Sequence, residues 1–524
     1  MSLAESHIGP FVGPRPAGRH WHLWAYAALT AMLAGGLVTA VALSVTEWTF
    51  ASGLALVLVT LSAIWISGGA ATAVLGLLLP ARAVRALPAG WLPQGSTAVL
   101  VTLCGEEATP LAAALADLRR GLDRLGLHHK AQIFVLSDTS RDDKIAAEEA
   151  ALAPLMADGR VIYRRRAVNT GRKPGNIADW LHSHGDRFAY MMVLDADSRM
   201  SADRIRALIH SLETRPRTGL LQAGMTLVPA QSRFGRHQRL SARLLSPNFG
   251  RGMAAWSGEA GNYWGHNAIM RVVAFRSAAD LPVLSGPAPF GGVPLSHDFV
   301  EAAWIVRAGW AVELDPATAG SAEDGPQTLA EFHRRDRRWC QGNLQHVRLL
   351  GEPGLDPLSR VHFASGIMGY LAAPIWLALL ALFGSGAVPV SGPLPFALIV
   401  SVLLLPKLCA LAVWMVRARG MARRLVFLRA GLVELVVSTL VAPLIMLRQS
   451  GAVASVLIGR DCGWKSGKAA RRALPKGLPE AVTGVALMAL AVAAGQAAAV
   501  WWLVPVALPL VAAPVLVPVL DGVA

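Results

Sequence analysis

Two aspartates separated by a single residue, Asp195 and Asp197, close the apolar run YMMVLDADS at residues 190–198. Carboxylates at the mouth of a strand form a ligand set for a hard divalent cation, Mg2+ or Mn2+, with positions left free for phosphate oxygens. Taken alone, the same pair is equally a solvated loop or a helix cap, with Asp197 or Ser198 capping the segment that follows. Its company favours the cation. Glu106 and Glu107 end the stretch VTLCGEE, Asp138 ends IFVLSDTSR, and the intervening loop NTGRKPGN offers Arg172 and Lys173. Three acidic strand ends and a cationic loop suit a nucleotide diphosphate: a carboxylate for base or ribose, lysine for the phosphates, metal between them. No GxxxxGK[ST] loop is present, so P-loop hydrolysis is not supported.

Further along, PLSHDFVEAAWIVRAGW puts Asp298 at the start of an apolar helical pattern, where it could act as a base or merely cap the helix. The stretch EFHRRDRRWCQGNLQH then gathers Arg334, Arg335, Arg337, Arg338 and Trp339. Taken alone, this cationic and aromatic cluster just before the membrane pattern returns is equally a juxtamembrane basic patch meeting anionic lipid.

The elements that must position these groups follow from periodicity. Short β-branched or apolar runs alternate with helical patterns: STAVLVTLCG before a helix near 110–125, AQIFVLSDTS before one starting near Arg141, and RFAYMMVLDADS before one near 202–213. This βαβ rhythm predicts a parallel sheet whose ligands bind beyond the carboxyl ends of its strands, where the acids fall.

The 524 residues are 54% hydrophobic and 16% charged, with a mean hydropathy of +0.44, which is enough for a membrane part and one sizeable soluble domain. The net charge of +15 fits the cytoplasmic loops of a polytopic membrane protein better than nucleic acid, for which no fold motif exists. Cys104, Cys340, Cys409 and Cys462 make no CxxC or Cys/His spacing, so neither a disulfide framework nor a zinc site is implied. His128-His129 and His182 with His184 read as solvated helix or turn residues.

Uncharged runs at 21–45 and 49–80 form a membrane hairpin, flanked by Arg15 and Arg19 on one side and Arg82 and Arg85 on the other. These basic flanks place the following domain in the cytoplasm. The expected organisation is a cytoplasmic tail at 1–20, two transmembrane helices at 21–80, and an α/β catalytic domain at 83–360. Transmembrane or interfacial helices at 361–458, a basic cytoplasmic loop at 459–478 and C-terminal transmembrane helices at 479–524 complete it. Seven or eight crossings are expected. The region 425–458, interrupted by Pro443, Arg448 and Gln449, must either turn back within the membrane or lie partly along its surface.

The ordered blocks RKPGNIADW, VLDADSRMS, GEAGNYWGHNAIMR, GGVPLSHDFVEAAWIVRAGW and RRDRRWCQGNLQH resemble the inverting, processive, membrane-embedded family 2 glycosyltransferases, the group of cellulose and hyaluronan synthases. The likeness is nearest to the glucosyltransferases of osmoregulated periplasmic glucan synthesis, and covers about residues 95–350. It implies a Rossmann-like GT-A domain inserted in a polytopic α-helical protein of the bacterial inner membrane. It further implies UDP-glucose as donor, a growing β-glucan (β-1,2 in the nearer subgroup) as product, the lipid bilayer and periplasmic glucan-processing proteins as partners, and no nucleic acid.

Carried onto this chain, the resemblance makes Glu106 and Asp138 nucleotide-side contacts, Lys173 the diphosphate contact, and Asp195 and Asp197 the metal-binding pair. Asp298 matches the base of a T-E-D triplet, written here Ser296-His297-Asp298. Arg338 and Trp339 match the end of Q-x-x-R-W, with Arg335 at the glutamine position. Trp264, His266 and Asn267 become acceptor or donor contacts, Trp256 is a second aromatic of that block, and Trp464 with Lys465 falls where relatives carry a gating loop. The chemistry that follows is attack of an acceptor hydroxyl, deprotonated by Asp298, on the anomeric carbon of an α-linked donor. Two other readings share these features: a polyprenyl-phosphate sugar transferase, and a transporter that senses nucleotide without turnover.

Overall fold

The computed structural model describes residues 21–80, 87–88, 90–278, 280–462 and 476–523. The tail at 1–20, Arg82, Arg85, Trp464 and Lys465 lie outside them.

Helices α1 (Trp21–Ser44) and α2 (Phe50–Leu78) pack against each other as the expected hairpin. The α/β domain then runs β1 (Thr97–Leu103), α3 (Ala108–Arg124), β2 (Ala131–Ser137), α4 (Asp142–Met156), β3 (Val161–Arg165), α5 (Arg172–His184), β4 (Tyr190–Asp195), β5 (Arg199–Met200) and α6 (Ala202–Glu213). It continues through β6 (Thr218–Ala223), β7 (Thr226–Leu227), α7 (Arg233–Ser257), β8 (Ala268–Arg271), α8 (Val272–Arg276), α9 (His297–Arg307), β9 (Ala311–Asp315), β10 (Ser321–Glu323) and α10 (Leu329–Gln345).

Seven strands form one sheet in the order β3-β2-β1-β4-β8-β6-β9, and β5-β10-β7 form a small second one. The continuous apolar run of β1 is buried on both faces, as a central strand demands. Alternate residues serve opposite sides. Val99, Val101 and Leu103 pack with Leu111, Leu115 and Leu118 of α3, while Ala98 and Leu100 pack with Trp180 of α5 and Ile305 of α9. The sheet departs from the all-parallel expectation at β8, which runs antiparallel to both β4 and β6. Between β6 and β8 the chain travels along the 25-residue α7, so β8 re-enters without a βαβ crossover to fix its direction.

Helix α7 joins the sheet to the membrane-type helices. It crosses α2 backbone against backbone: a Cβ on Gly252 would sit 1.8 Å from the Thr72 carbonyl oxygen, and one on Gly76 2.0 Å from that of Asn248. Only glycine permits that approach. Asn248 Nδ2 then donates to the Ala73 carbonyl at 2.9 Å.

After α10 come α11 (Pro357–Gly384), α12 (Leu394–Arg417), α13 (Met421–Leu457), α14 (Leu478–Ala493), α15 (Ala497–Val511) and α16 (Ala513–Asp521). Among the described residues, α1, α2, α11, α12 and α13 are long and apolar enough to cross a membrane, and the pair α15–α16, bent by 59°, makes a sixth if taken as one span. Seven or eight crossings were expected because residues 480–520 were counted as two. That stretch is instead a 16-residue α14 followed by helices carrying Pro505, Pro509 and Pro518, with a break at Ala512.

The interrupted region resolves into one continuous 37-residue helix, α13, which does not turn back at Pro443. Several of its polar residues bond neighbouring helices. Glu434 accepts from Ser241 of α7 at 3.1 Å and from Lys407 of α12 at 2.7 Å. Gln449 donates to Asp336 of α10 at 3.4 Å. Just beyond its end, Asp461 and the Cys462 amide both bond Gln341 of α10.

Candidate active site

The acids predicted to gather at the strand ends do so along the carboxyl edges of β1, β2 and β4, which pair in parallel. Asp138, just past β2, is gripped by both arms of Arg166: Nε to Oδ1 at 2.8 Å and Nη2 to Oδ2 at 2.9 Å. The same guanidinium donates to the carbonyls of Thr170 at 3.0 Å and Arg172 at 3.1 Å. One side chain therefore fixes the lysine loop to the aspartate, a bidentate arrangement stronger than a lone ion pair. Beneath it, the buried carboxylate of Glu148 accepts from Ser137 at 2.7 Å, from Tyr163 at 2.9 Å and from Thr139. Thr139 in turn accepts from the Gly105 amide at 2.7 Å, which sets the loop bearing the exposed Glu106.

Lys173 leaves the first turn of α5, after Gly171 and Arg172 have both adopted left-handed φ of +69° and +56°. Its Nζ donates to Asp195 and, at 2.8 Å, to the carbonyl of Gly265. Burial opposes the charge on Asp195, but the charges of Lys173 and His266 and the hydrogen bonds from Lys173 and Thr102 outweigh it. Its carboxyl is held down at about 2. Asp197 behaves oppositely. Burial and the repulsion of Asp195 raise it, against weaker help from Arg335, whose Nη2 stands 3.8 Å away, and from His266. Glu323, at the end of β10, is likewise raised by burial and by the charges of Asp197 and Asp195, although His266 Nε2 lies 3.3 Å from it. Neither Asp197 nor Ser198 caps the next helix; Ser201 does, accepting from the Arg204 amide at 3.2 Å.

Asp298 stands in the first turn of α9, whose N-cap is Ser296. It faces Gly265 so closely that a Cβ there, at φ +85°, would lie 3.6 Å from Asp298 Oδ2. The Gly265 carbonyl also accepts from Tyr263 at 2.7 Å, so this residue links the lysine, a buried tyrosine and the candidate base. Burial raises the Asp298 carboxyl, with Glu301 adding to the shift and His297 and two backbone amides opposing it. His297 has a carboxylate one turn along: its Nδ1 is 3.1 Å from the buried Glu301. Burial works against the charged imidazole, and Glu301 overcomes it, raising His297.

Helix α10 closes the far side. His346, just past its end, contacts the Ser296 carbonyl at 3.0 Å, and Asn343 Nδ2 lies 3.4 Å from Ser296 Oγ. Trp339 on this helix is 52% exposed, while Arg338 is half-buried. Trp264 is half-buried with its amide on Gln222 at 3.0 Å. Asn267 is different from the contact expected of it: fully buried, it bonds Ser321 at 3.0 Å and the Ala322 carbonyl at 3.3 Å. Its place is behind the cleft, tying β8 to β10. Trp256 is no cleft residue either. It is sandwiched between Tyr26 at 4.5 Å and His362 at 5.2 Å and donates to Thr72, a core aromatic where α7 meets the membrane-type helices.

Three residues that sequence reasoning missed hold this arrangement. Arg166 was hidden in the run YRRR, Glu148 in an ordinary charged helix, and Gln222 in the apolar strand TGLLQA, where a lone polar residue was the available signal. Gln222 is fully buried and also donates to the His266 carbonyl at 3.0 Å.

The carboxylates of Asp197 and Glu323, with more negative charge than Arg335 and His266 offset, fit a hard cation by donor type and by charge. Among the described residues no three His, Cys, Asp or Glu side chains converge as a complete cage. Asp197, with Asp195 beside it, would hold such a cation.

The sequence matches glycosyl transferase family 2 over residues 98–278 and glycosyl transferase family group 2 over residues 190–417. It is 40% identical over 440 residues to glucans biosynthesis glucosyltransferase H of Cereibacter sphaeroides, covering 78% of this chain and 73% of that protein. To the protein of the same name from Xanthomonas oryzae pv. oryzae it is 40% identical over 449 residues, covering 79% of this chain and 70% of that one. A mannosyltransferase from Pyrobaculum calidifontis, solved in complex with GDP-Man and Mn2+, is similar over 73% of this chain and 97% of its own, at 15% identity and a TM-score of 0.46. That structural likeness is too loose to bear on the site.

Proposed function

The chain belongs to glycosyl transferase family 2, among the glucosyltransferases of glucan biosynthesis, and on that footing we propose that it polymerises glucose from UDP-glucose into a β-glucan. Its mixed seven-stranded sheet is the GT-A glycosyltransferase fold, and its apolar helices give it the character of a membrane protein. The product we propose is a β-1,2 backbone of periplasmic glucan, made on the cytoplasmic face of a bacterial inner membrane and passed across it.

The observation that carries the reading is the convergence on Gly265, where Lys173 bonds the carbonyl and Asp298 lies 3.6 Å from where a Cβ would stand, with the Asp195–Asp197 pair alongside. Asp138 and Glu106 receive the nucleoside, and Lys173 balances charge that builds on the diphosphate as the glycosidic bond breaks. Asp195 and Asp197 would hold Mg2+ or Mn2+, which when bound supplies positive charge to the diphosphate. Asp298, raised by its burial, takes the proton of the acceptor hydroxyl as that oxygen attacks the anomeric carbon from the opposite side, inverting it. The exposed Trp339 stacks on a sugar ring of the acceptor. A buried polar seam behind it, Asp336 bonded by Tyr370 at 3.1 Å and by Gln449, supports passage of the product between α10, α11 and α13.

The test is the purified protein in lipid nanodiscs with Mg2+ and labelled UDP-glucose. Release of UDP, a water-soluble labelled polymer and 2-linked glucose on methylation analysis are expected. Label extracted into organic solvent would identify a polyprenyl-phosphate sugar transferase instead, and UDP-glucose binding without turnover would return the protein to a sensing role.

A further inference from the structure

A cavity of about 700 Å3 lies where α10 meets α13, α14 and α16. Its wall is basic. Arg337, Arg448, Arg460 and Lys476 line it, against the carboxylates of Glu480 and Asp521. Two of these charges are matched: Arg448 Nε bonds Glu480 at 2.8 Å, and Asp521, which accepts from the Leu329 amide at 2.8 Å, has Lys476 at 3.8 Å. Arg337 and Arg460 have no carboxylate partner among the described residues. His333 also faces the cavity. Burial and the charges of Arg448 and Arg337 hold its imidazole down at about 4, so it is neutral at pH 7, and its Nδ1 is buried without a partner. The first turn of α14 begins at the cavity on Gly477 with no side chain capping it, which adds the positive end of a helix dipole. Leu447 and Val517 add apolar lining.

Unmatched guanidiniums, a neutral imidazole with an unused ring nitrogen and a helix start all lack the same thing, an anion with several acceptor oxygens. The volume exceeds what an inorganic ion fills, and the apolar lining asks for a less polar remainder. We propose that this cavity binds a phosphate ester, with its phosphate on Arg337 and Arg460 and its remainder along Leu447 and Val517. The ester is either the headgroup of an anionic membrane phospholipid, reached between α13 and α14, or a soluble metabolite. No residue of the Asp195–Asp197 pair or of the Asp298 loop lines the cavity, so this ligand is not the sugar donor.

Binding, not turnover, is the readout, which separates this proposal from the reaction proposed above. Full-length protein is offered phosphatidylglycerol or phosphatidylcholine in mixed micelles and retained lipid is counted by native mass spectrometry. In parallel, glycerol 1-phosphate and inorganic phosphate are titrated by calorimetry. Selective retention of phosphatidylglycerol identifies the lipid source; saturable binding of glycerol 1-phosphate identifies the soluble one. In either case Arg337→Gln and Arg460→Gln each weaken binding about tenfold or more. Glu480→Gln, which frees Arg448, should strengthen it several-fold, whereas residues that merely support the fold would lose binding in all three variants. Intact folding is checked by the melting transition. Binding of none of the probes, or equal binding by wild type and both arginine variants, overturns the proposal.

Discussion

Asp195 and Asp197 are one residue apart and electrostatically opposite. The first is bonded by Lys173 and by Thr102 at 3.1 Å and is held at about 2 in spite of burial; the second meets Arg335 only at 3.8 Å and is raised. The contrast extends across the cleft. On the side of β1, β2 and β4, Asp138 is locked by Arg166. On the side of α9 and β10, Asp298 and Glu323 are raised by burial and neighbouring negative charge. One half is therefore assembled in advance, with Asp195 and Asp138 each paired to a fixed cation. The other half holds acids whose charge is unrelieved, and such groups take up a cation or a proton. That is the division of labour a transferase needs between gripping a donor and activating an acceptor.

The largest expected effect comes from the unrelieved half. Asp298→Asn should lower kcat about a thousandfold, the scale of a lost general base, while UDP affinity measured by calorimetry stays within about twofold. Because the ionised form is the active one and its carboxyl is raised, kcat/KM of the wild type should fall as pH drops through a value above the ordinary aspartate range. Retention of more than a tenth of the wild-type rate by Asp298→Asn would remove it as the base. Next, chelation should abolish turnover and Mg2+ or Mn2+ restore it, and Asp197→Asn should weaken Mn2+ binding, read by electron paramagnetic resonance, about a hundredfold. In the wild type Mn2+ affinity should climb with pH through the raised Asp197 value, since a proton must leave before the metal binds.

The pre-assembled half is broken by Arg166→Gln. Asp138 and Arg166 have side chains only 6% and 12% exposed, so the substitution strands a buried carboxylate at a cost of about 3 kcal/mol. UDP affinity should fall about tenfold with kcat little changed, the reverse of the Asp298→Asn pattern. Equal losses in both parameters for both variants would dissolve the distinction between the halves.

The sequence made the donor half legible because its acids end strands whose apolar runs are unmistakable. Helix α6 spans Ala202–Glu213, the range its periodicity predicted, and Asp138, Asp195 and Lys173 converge as their positions required. What stayed hidden has a common physical form: a polar residue that acts by pairing with another distant in sequence. Arg166 is 28 residues from Asp138, and Glu323 is 57 beyond His266; neither spacing carries a periodic signal. Direction was equally hidden at β8, where four residues cannot state whether they run parallel or antiparallel. Helix α13 was ambiguous for the opposite reason. Its length of roughly 55 Å at 1.5 Å per residue exceeds a hydrocarbon core, and its proline and charges look like interruptions until Asp336, Glu480 and Ser241 are seen to satisfy them.

Asp336 gives the smallest effect and separates burial from charge as the cause of the contrast. It is 4% exposed, and its partners are neutral: Tyr370 at 3.1 Å and Gln449 at 3.4 Å on Oδ1, with Oδ2 unpartnered. Burial pushes its carboxyl up to about 6 against those two hydrogen bonds. A carboxyl raised in the folded state binds its proton more tightly there than when unfolded, so its contribution to stability is complete below about pH 4 and is lost as pH rises through 6. At pH 7.5 the loss amounts to roughly 3 kcal/mol at most. Asp336→Asn keeps the acceptor oxygen and cannot ionise. Its apparent Tm, measured at one scan rate, should match the wild type at pH 4 and exceed it by about 2 °C at pH 7.5. If the two curves stay parallel across that range, neutral hydrogen bonds suffice to keep a buried carboxylate charged here, and Lys173 and Arg166 lose their claim to be what sets Asp195 and Asp138 apart from Asp197 and Asp298.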